Sequence, residues 1–224
     1  MNNNVLIVGL GQIGLQYDLH LKQDEFTLTH SHAFSLHKSF NLLASVDPDK
    51  EHRNLFSLEY GLPSYSSLSE ALKAHNPDII VISSITTTHA NILDEILTLS
   101  HPKIILCEKP LSYSLKDAQK MIDLCERQGV KLFVNYIRRS DPGVIEIKQL
   151  IETMKFKKSI KGICWYSKGF IHNGSHFFNL MTYWLGPMKR FNIICDNKSR
   201  VTNNDYEPDI EVEFEKGKII FLSA

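Results

Sequence analysis

Val5-Leu-Ile-Val-Gly-Leu-Gly-Gln-Ile-Gly14 decides the fold. Four apolar residues run without alternation, as in a strand buried on both faces. Gly9, Gly11 and Gly14 follow in the spacing G-x-G-x-x-G. Gly9 permits a tight turn, Gly11 lets backbone approach a pyrophosphate, and Gly14 lets the first helix pack closely on the sheet. The start of that helix, at Gln12 and Ile13, then offers N–H groups to phosphates. Alone the motif is weak. Behind a strand and at the head of a βαβ pattern it points to dinucleotide binding.

Working outward, the same style of strand recurs at 42–46, 79–83, 103–107 and 131–134. Helical patterns lie between, at 49–60, 67–75, 89–100 and 114–127. They are punctuated by Gly61 and Pro63, by Pro77, by Pro102 and by Gly129, and Ser114 with Asp117 resembles a capping box. This order predicts an α/β doubly wound parallel sheet, a Rossmann domain over 1–135. After about residue 140 the pattern changes. A helix at 143–154 is followed by strands at 160–166, 191–195, 210–214 and 218–222, with one helix at 176–185 stopped by Gly186-Pro187. That predicts a second, α+β domain over 136–224 with an open mixed or antiparallel sheet. The chain ends at Ala224 directly after a strand. An uncovered strand pair is an edge liability, so the expectation is a truncated second domain or a homo-oligomer that covers the sheet.

Charge is balanced, with 25 basic and 25 acidic residues among 224. Nothing electrostatic calls for a nucleic acid or a membrane. The basic cluster Lys155, Lys157, Lys158 and Lys161 reads as a solvated turn. Four scattered cysteines show no zinc-ligand spacing, so no metal site is expected. Thiols in apolar runs suit a reducing, cytoplasmic compartment. The first apolar run is broken by glycines and reads as a strand, not a signal peptide. No apolar stretch approaches the roughly 20 residues that span a bilayer.

Asp47 closes the second strand. A carboxylate there accepts hydrogen bonds from ribose hydroxyls and repels a 2′-phosphate, favouring NAD over NADP. A turn-forming Asp-Pro is the alternative. The separation of Asp47 from Gly14 is well beyond the usual roughly 20 residues. The excess, 16–31, is rich in Asp, His and Thr. It reads either as an exposed insertion or as a loop near cofactor or substrate.

Further motifs carry a resemblance. Ser83-Ser-Ile-Thr-Thr-Thr-His89, Cys107-Glu-Lys-Pro-Leu111, Val134-Asn-Tyr-Ile-Arg-Arg-Ser-Asp-Pro142 and Asn173-Gly-Ser-His176 occur in this order. Together they resemble the Gfo/Idh/MocA oxidoreductases. The resemblance implies a Rossmann domain followed by an α/β domain, usually longer than here. It also implies NAD(P)-linked hydride transfer at an oxygen-bearing carbon of a sugar, polyol or sugar nucleotide. It places Ser84, Thr86, Thr87 and His89 along the dinucleotide, although His89 reads equally as a helix start. Glu108 is expected to orient the site or the nicotinamide ribose.

Hydride transfer needs a donor for the developing alkoxide and a group to take the hydroxyl proton. Lys109, at the C-terminal end of a parallel strand, suits the first task. His176, an imidazole titrating near neutrality, suits the second, with a helix cap or core histidine as the alternative. The family often carries an aspartate four residues before this histidine, and here that position is His172, a candidate second imidazole. Arg139 matches a family arginine and is expected to bind substrate or bridge the domains. Asn173 is a further substrate-side candidate. The expectation is an NAD-dependent oxidoreductase. The alternatives are a non-catalytic NAD-binding regulator or a truncated member needing a partner.

Overall fold

The computed structural model describes residues 2–22, 25–153, 159–196, 201–202 and 205–224. The chain divides into two compact units, Met1–Asn135 and Tyr136–Ala224.

The first unit contains β1 (Asn3–Val8), α1 (His30–Leu36), β2 (Phe40–Val46), α2 (Lys50–Tyr60), β3 (Ser64–Tyr65), α3 (Leu68–Ala74), β4 (Ile79–Ile82), α4 (His89–Leu99), β5 (Ile104–Glu108), α5 (Leu115–Arg127) and β6 (Lys131–Asn135). Its strands form one sheet in the order β3-β2-β1-β4-β5-β6. Every pair is parallel. This is the doubly wound Rossmann arrangement. Its order reverses between β1 and β4, where such sheets place ligands beyond the strand C-termini.

Burial explains the unbroken apolar runs. Val5 and Ile7 join Leu42, Phe56, Ile79 and Val81 on one face. Leu6 and Val8 join Val46, Ile80, Ile82 and Ile96 on the other. With both faces covered, Val5–Val8 and Ile79–Ile82 are apolar at every position. Each such side chain contributes about 1.5–3 kcal/mol on burial. Helix starts are set by caps. The side chains of Asp49, Ser67 and Ser114 accept N–H groups of the first turns of α2, α3 and α5. The residues that signal these helices in the sequence therefore stand just outside them.

Two features depart from the periodicity. β3 is two residues long, too short to show a period. The helix expected behind the glycines is split. Only a five-residue π-turn, Gln12–Gln16, follows the loop, and α1 begins at His30. The intervening segment is not simply an exposed insertion. Tyr17, Leu21, Phe26 and Leu28 are exposed, but Asp18 and Thr29 are buried, as are His30, Ser31 and His32 at the start of α1.

The second unit contains α6 (Pro142–Thr153), β7 (Ile160–Tyr166), α7 (Ser175–Leu185), β8 (Met188–Cys195), β9 (Val201–Thr202), β10 (Asp205–Tyr206), β11 (Asp209–Phe214) and β12 (Gly217–Ser223). Its main sheet is mixed, in the order β7-β12-β11-β8. β12 runs parallel to β7, and β11 antiparallel to both β12 and β8. Ile210, Val212, Phe214, Ile219 and Phe221 face the core with Leu185, Phe177 and Phe178 of α7. The other face carries Ile163 and Trp165, 61% and 63% exposed, beside Ile220 and Leu222. Lys161 lies on β7, whereas Lys155, Lys157 and Lys158 lie outside the described residues. None of the four cysteines is in a disulfide. Among the described residues no helix is long and apolar enough to cross a membrane.

Candidate functional site

The three glycines do different work. Gly9 has φ +100°, and a Cβ on it would lie 2.5 Å from Ser84 N. A Cβ on Gly14 would lie 2.1 Å from Gly9 O. Both are demanded by the loop's own packing. Gly11 has an ordinary φ of −67°, and a Cβ there would meet nothing within 4 Å. The space beside it is open. Leu15 N and Gln16 N close onto Gly11 O at 2.9 and 3.2 Å. Gln12 is exposed and its amide reaches Gln16 Oε1 at 3.0 Å, while Ile13 is half-buried.

Asp47 is buried, and its carboxylate grips the glycine loop directly. Oδ2 accepts Leu10 N at 2.6 Å and Oδ1 accepts Asp49 N at 2.8 Å. His52 Nδ1 stands 3.5 Å from Oδ1. The Asp-Pro turn and the ribose acceptor are thus not exclusive, since a carboxylate has about four acceptor sites. Arg53, passed over in the sequence, donates to the carbonyls of Asp47 and Pro48 at 2.9 and 2.8 Å.

After β4, Ser83 Oγ donates to Gly9 O at 2.7 Å. Thr86–Thr88 form one 3-10 turn, with Thr86 half-buried and Thr87 exposed. Ser84 Oγ pairs with Thr88 Oγ1 at 2.8 Å. His89 starts α4 and is fully buried. Its Nε2 lies 3.1 Å from Ser84 O and its Nδ1 3.3 Å from Leu111 O. The ring ties the loop after β4 to the loop after β5 and presents no free edge to a ligand.

Glu108 ends β5. Its Oε1 accepts Asn135 Nδ2 at 2.7 Å and lies 2.8 Å from His30 Nε2. Its Oε2 accepts Lys109 N at 3.3 Å. Burial pushes this carboxyl up, but the hydrogen bonds from His30 and Asn135 outweigh that and hold it below the usual glutamate range. Lys109 is half-buried, and its peptide to Pro110 is cis. Asn135 carries no signal as a site residue in the sequence, and His30 is marked only by lying in the segment 16–31, one of whose readings is a loop near cofactor or substrate. His30 sits in a polar stretch with no period, and Asn135 reaches Glu108 only across the β5–β6 pairing.

In the second unit, a π-turn at Phe170–Gly174 leads into α7 and carries His172 and Asn173. Asp205 Oδ2 accepts His172 N at 2.8 Å and lies 3.2 Å from the ring Nδ1. Asp205 is 2% exposed. Asn173 N bonds Gly169 O at 3.0 Å. The ring of His176 meets Tyr136 edge to face, centroids 6.0 Å apart. Arg139 Nε donates to Asn179 Oδ1 at 2.6 Å, and its guanidinium lies over Tyr183. The guanidinium is therefore engaged within its own unit. Asp205 went unnoticed because nothing in its local sequence links it to a histidine so far away along the chain.

Among the described residues, no group of three or more His, Cys, Asp or Glu side chains is placed to hold a metal ion.

Known proteins share the fold of this chain. The model of the Gfo/Idh/MocA oxidoreductase family, NAD-binding Rossmann fold, matches residues 3–136. The myo-inositol 2-dehydrogenase of Thermotoga maritima is 26% identical over 148 residues, 65% of this chain and 40% of that protein. The D-apiose dehydrogenase of Paraburkholderia graminis is 27% identical over 53% of this chain and 32% of its own length. The WlbA dehydrogenase from Bordetella pertussis, solved with NADH and UDP-GlcNAcA, superposes with a TM-score of 0.79 at 19% identity. That likeness covers 99% of this chain and 71% of the other. The matches to these two curated relatives thus span 40% and 32% of their lengths. The chain belongs to the Gfo/Idh/MocA family of oxidoreductases with the NAD-binding Rossmann fold.

Proposed function

We propose that this chain serves NAD-dependent hydride transfer at a hydroxyl or keto carbon of a sugar, polyol or sugar nucleotide. The observation that carries the proposal is Glu108, held by His30 and Asn135 beside Lys109, at the C-terminal end of β5. The substrates named for the myo-inositol and D-apiose dehydrogenases support the polyol and sugar class. NAD, when bound, supplies the carbon that takes or gives the hydride. Gly11 leaves room for the pyrophosphate, and the N–H groups at Gln12 and Ile13 face it. Asp47 accepts the adenosine ribose hydroxyls and disfavours a 2′-phosphate. Ser84, Thr86 and Thr87 line the path of the dinucleotide, while His89 holds that wall in place from behind.

Glu108 accepts a hydroxyl of the nicotinamide ribose. Lys109 donates to the reacting oxygen and stabilises it as it becomes an alkoxide. His176 takes the hydroxyl proton, with His172 as a second imidazole in the same unit. Arg139 and Asn173 shape the substrate side. The exposed Ile163 and Trp165 face serves self-association, and cysteines outside any disulfide suit a reducing cytoplasm.

The test is to titrate NAD and NADP against intrinsic fluorescence, then follow NADH formation with a panel of polyols, sugars and sugar nucleotides. Preference for NAD is expected, and Lys109→Ala is expected to lower kcat at least about 100-fold. Failure to bind either nucleotide overturns the reading, and equal turnover by Lys109→Ala overturns the role of Lys109. Trp165→Glu is expected to shift the protein to monomer in sedimentation velocity.

A further inference from the structure

The long detour between the glycine loop and β2 delivers one side chain to the candidate site. Asp18, 2% exposed, gathers the segment onto itself. Its carboxylate accepts Leu28 N at 2.7 Å, Thr29 N at 2.9 Å and Thr29 Oγ1 at 2.8 Å, and lies 3.3 Å from His32 Nδ1. Thr29 in turn caps α1 by accepting His32 N. Ser31 Oγ then donates to Gly14 O at 2.7 Å, fastening the start of α1 onto the glycine loop. Between these two anchors stands His30, with its Nε2 2.8 Å from Glu108 Oε1. The side chains of His30 and Glu108 are only 9% and 11% exposed.

We propose that His30 is a positioning residue for the nicotinamide half of the cofactor. It acts with Asn135 to hold Glu108 so that Oε2 faces the ligand. The proposal rests on the NAD-binding reading above. Its logic is one of occupancy. Oε1 is taken by two side-chain partners at 2.7 and 2.8 Å. Among the described residues, Oε2 has only the longer contact from Lys109 N, at 3.3 Å. Two donors on one oxygen fix the carboxylate's rotation and leave the lone pairs of the other for a ribose hydroxyl. The donors come from independent elements, α1 and β6, so the carboxylate cannot swing without breaking a bond in a largely buried site. Ser31 makes the arrangement continuous with the pyrophosphate loop, because the helix that carries His30 is seated on Gly14. The described residues between Gln16 and His30 form a spacer, and its product is the placement of His30.

The test compares NAD with ADP, which carries the pyrophosphate but lacks the nicotinamide ribose. In wild-type protein both are titrated by intrinsic fluorescence. His30→Ala is expected to weaken NAD about tenfold and leave ADP unchanged, the loss of one hydrogen bond to a charged group. His30→Gln keeps an N–H donor and is expected to recover most of the NAD affinity. Unchanged NAD affinity in His30→Ala overturns the proposal. So does equal weakening of NAD and ADP, which makes His30 a structural support of the loop. If His30→Ala does not fold, the wild-type protein still decides. NAD is expected to shift the His30 imidazole resonances and ADP to leave them in place, and identical responses overturn the proposal. A wild type that binds ADP and NAD equally well contradicts a nicotinamide-side contact. A wild type that binds neither overturns the underlying NAD reading, and this inference with it.

Discussion

Asp205 holds His172 twice: one carboxylate oxygen accepts the backbone N–H at 2.8 Å and lies 3.2 Å from ring Nδ1. The approach depends on Gly169, whose φ is +88° and whose added Cβ would fall 2.2 Å from that same oxygen. A histidine thus replaces an expected aspartate, and a distant aspartate supplies the carboxylate to orient it. Asp205→Asn is expected to lower kcat about ten- to 100-fold, and His172→Ala comparably. The double variant is expected to lose little beyond the worse single one, because the pair acts as a unit. Steady-state rates of NADH formation on the best substrate of the panel measure this, and additive losses sink the coupling.

The glycine loop separates folding from binding. Gly9→Ala forces a left-handed φ on a side chain that has no room, and is expected to cost about 3 kcal/mol. Gly11→Ala has an allowed backbone and open space, so its stability is expected within about 0.5 kcal/mol of wild type. Its NAD affinity is nevertheless expected to fall, because the methyl group enters the ligand's space. Urea unfolding and NAD titration on the two variants give opposite patterns. A Gly11→Ala protein with full affinity contradicts the placement of the pyrophosphate.

Glu108 also sets an acid limit. Burial raises its carboxyl, but the hydrogen bonds from His30 and Asn135 leave the folded-state value lowered. A lowered folded value means that the stabilisation is complete above the unfolded value, about 4.3, and is lost as pH falls through the folded value. The stability difference between wild type and Glu108→Gln is therefore expected to be flat from pH 6 to 8 and to shrink below about pH 4.3. Thermal unfolding across that range is the measurement. A difference that grows on acidification contradicts the sign.

Thiol reactivity should follow burial. Cys107 and Cys125 are buried, and desolvation pushes both thiols up. Cys195 is exposed on β8. A thiol reagent is expected to label Cys195 first in native protein, and Cys107 only on unfolding. Peptide mapping after brief labelling checks the order.

The parallel sheet was legible because burial on both faces forces a local signature, the continuous apolar run seen at Val5–Val8 and Ile79–Ile82. The cap of α5 was legible because Ser114 acts on an N–H group three residues away, whereas Asp49 and Ser67, which read as the first residues of their helices, stand outside them as caps. β3 escaped because two residues have no period. The split of the first helix escaped because an insertion rich in polar residues has none either. Its described residues gather on the buried carboxylate of Asp18, whose partners lie ten residues and more along the chain.

The sequence by itself determined the Rossmann sheet, its glycine loop and the family, because each rests on short-range patterns of burial, turn geometry and motif. Only the tertiary structure decided how the loop and the acids are held. Leu10 rests on Asp47, Ser31 on Gly14, His30 and Asn135 on Glu108, and His172 on Asp205. These are hydrogen bonds between residues far apart in the chain. A hydrogen bond needs its partners about 3 Å apart and aligned, a condition that spacing along the chain does not encode and that folding alone meets.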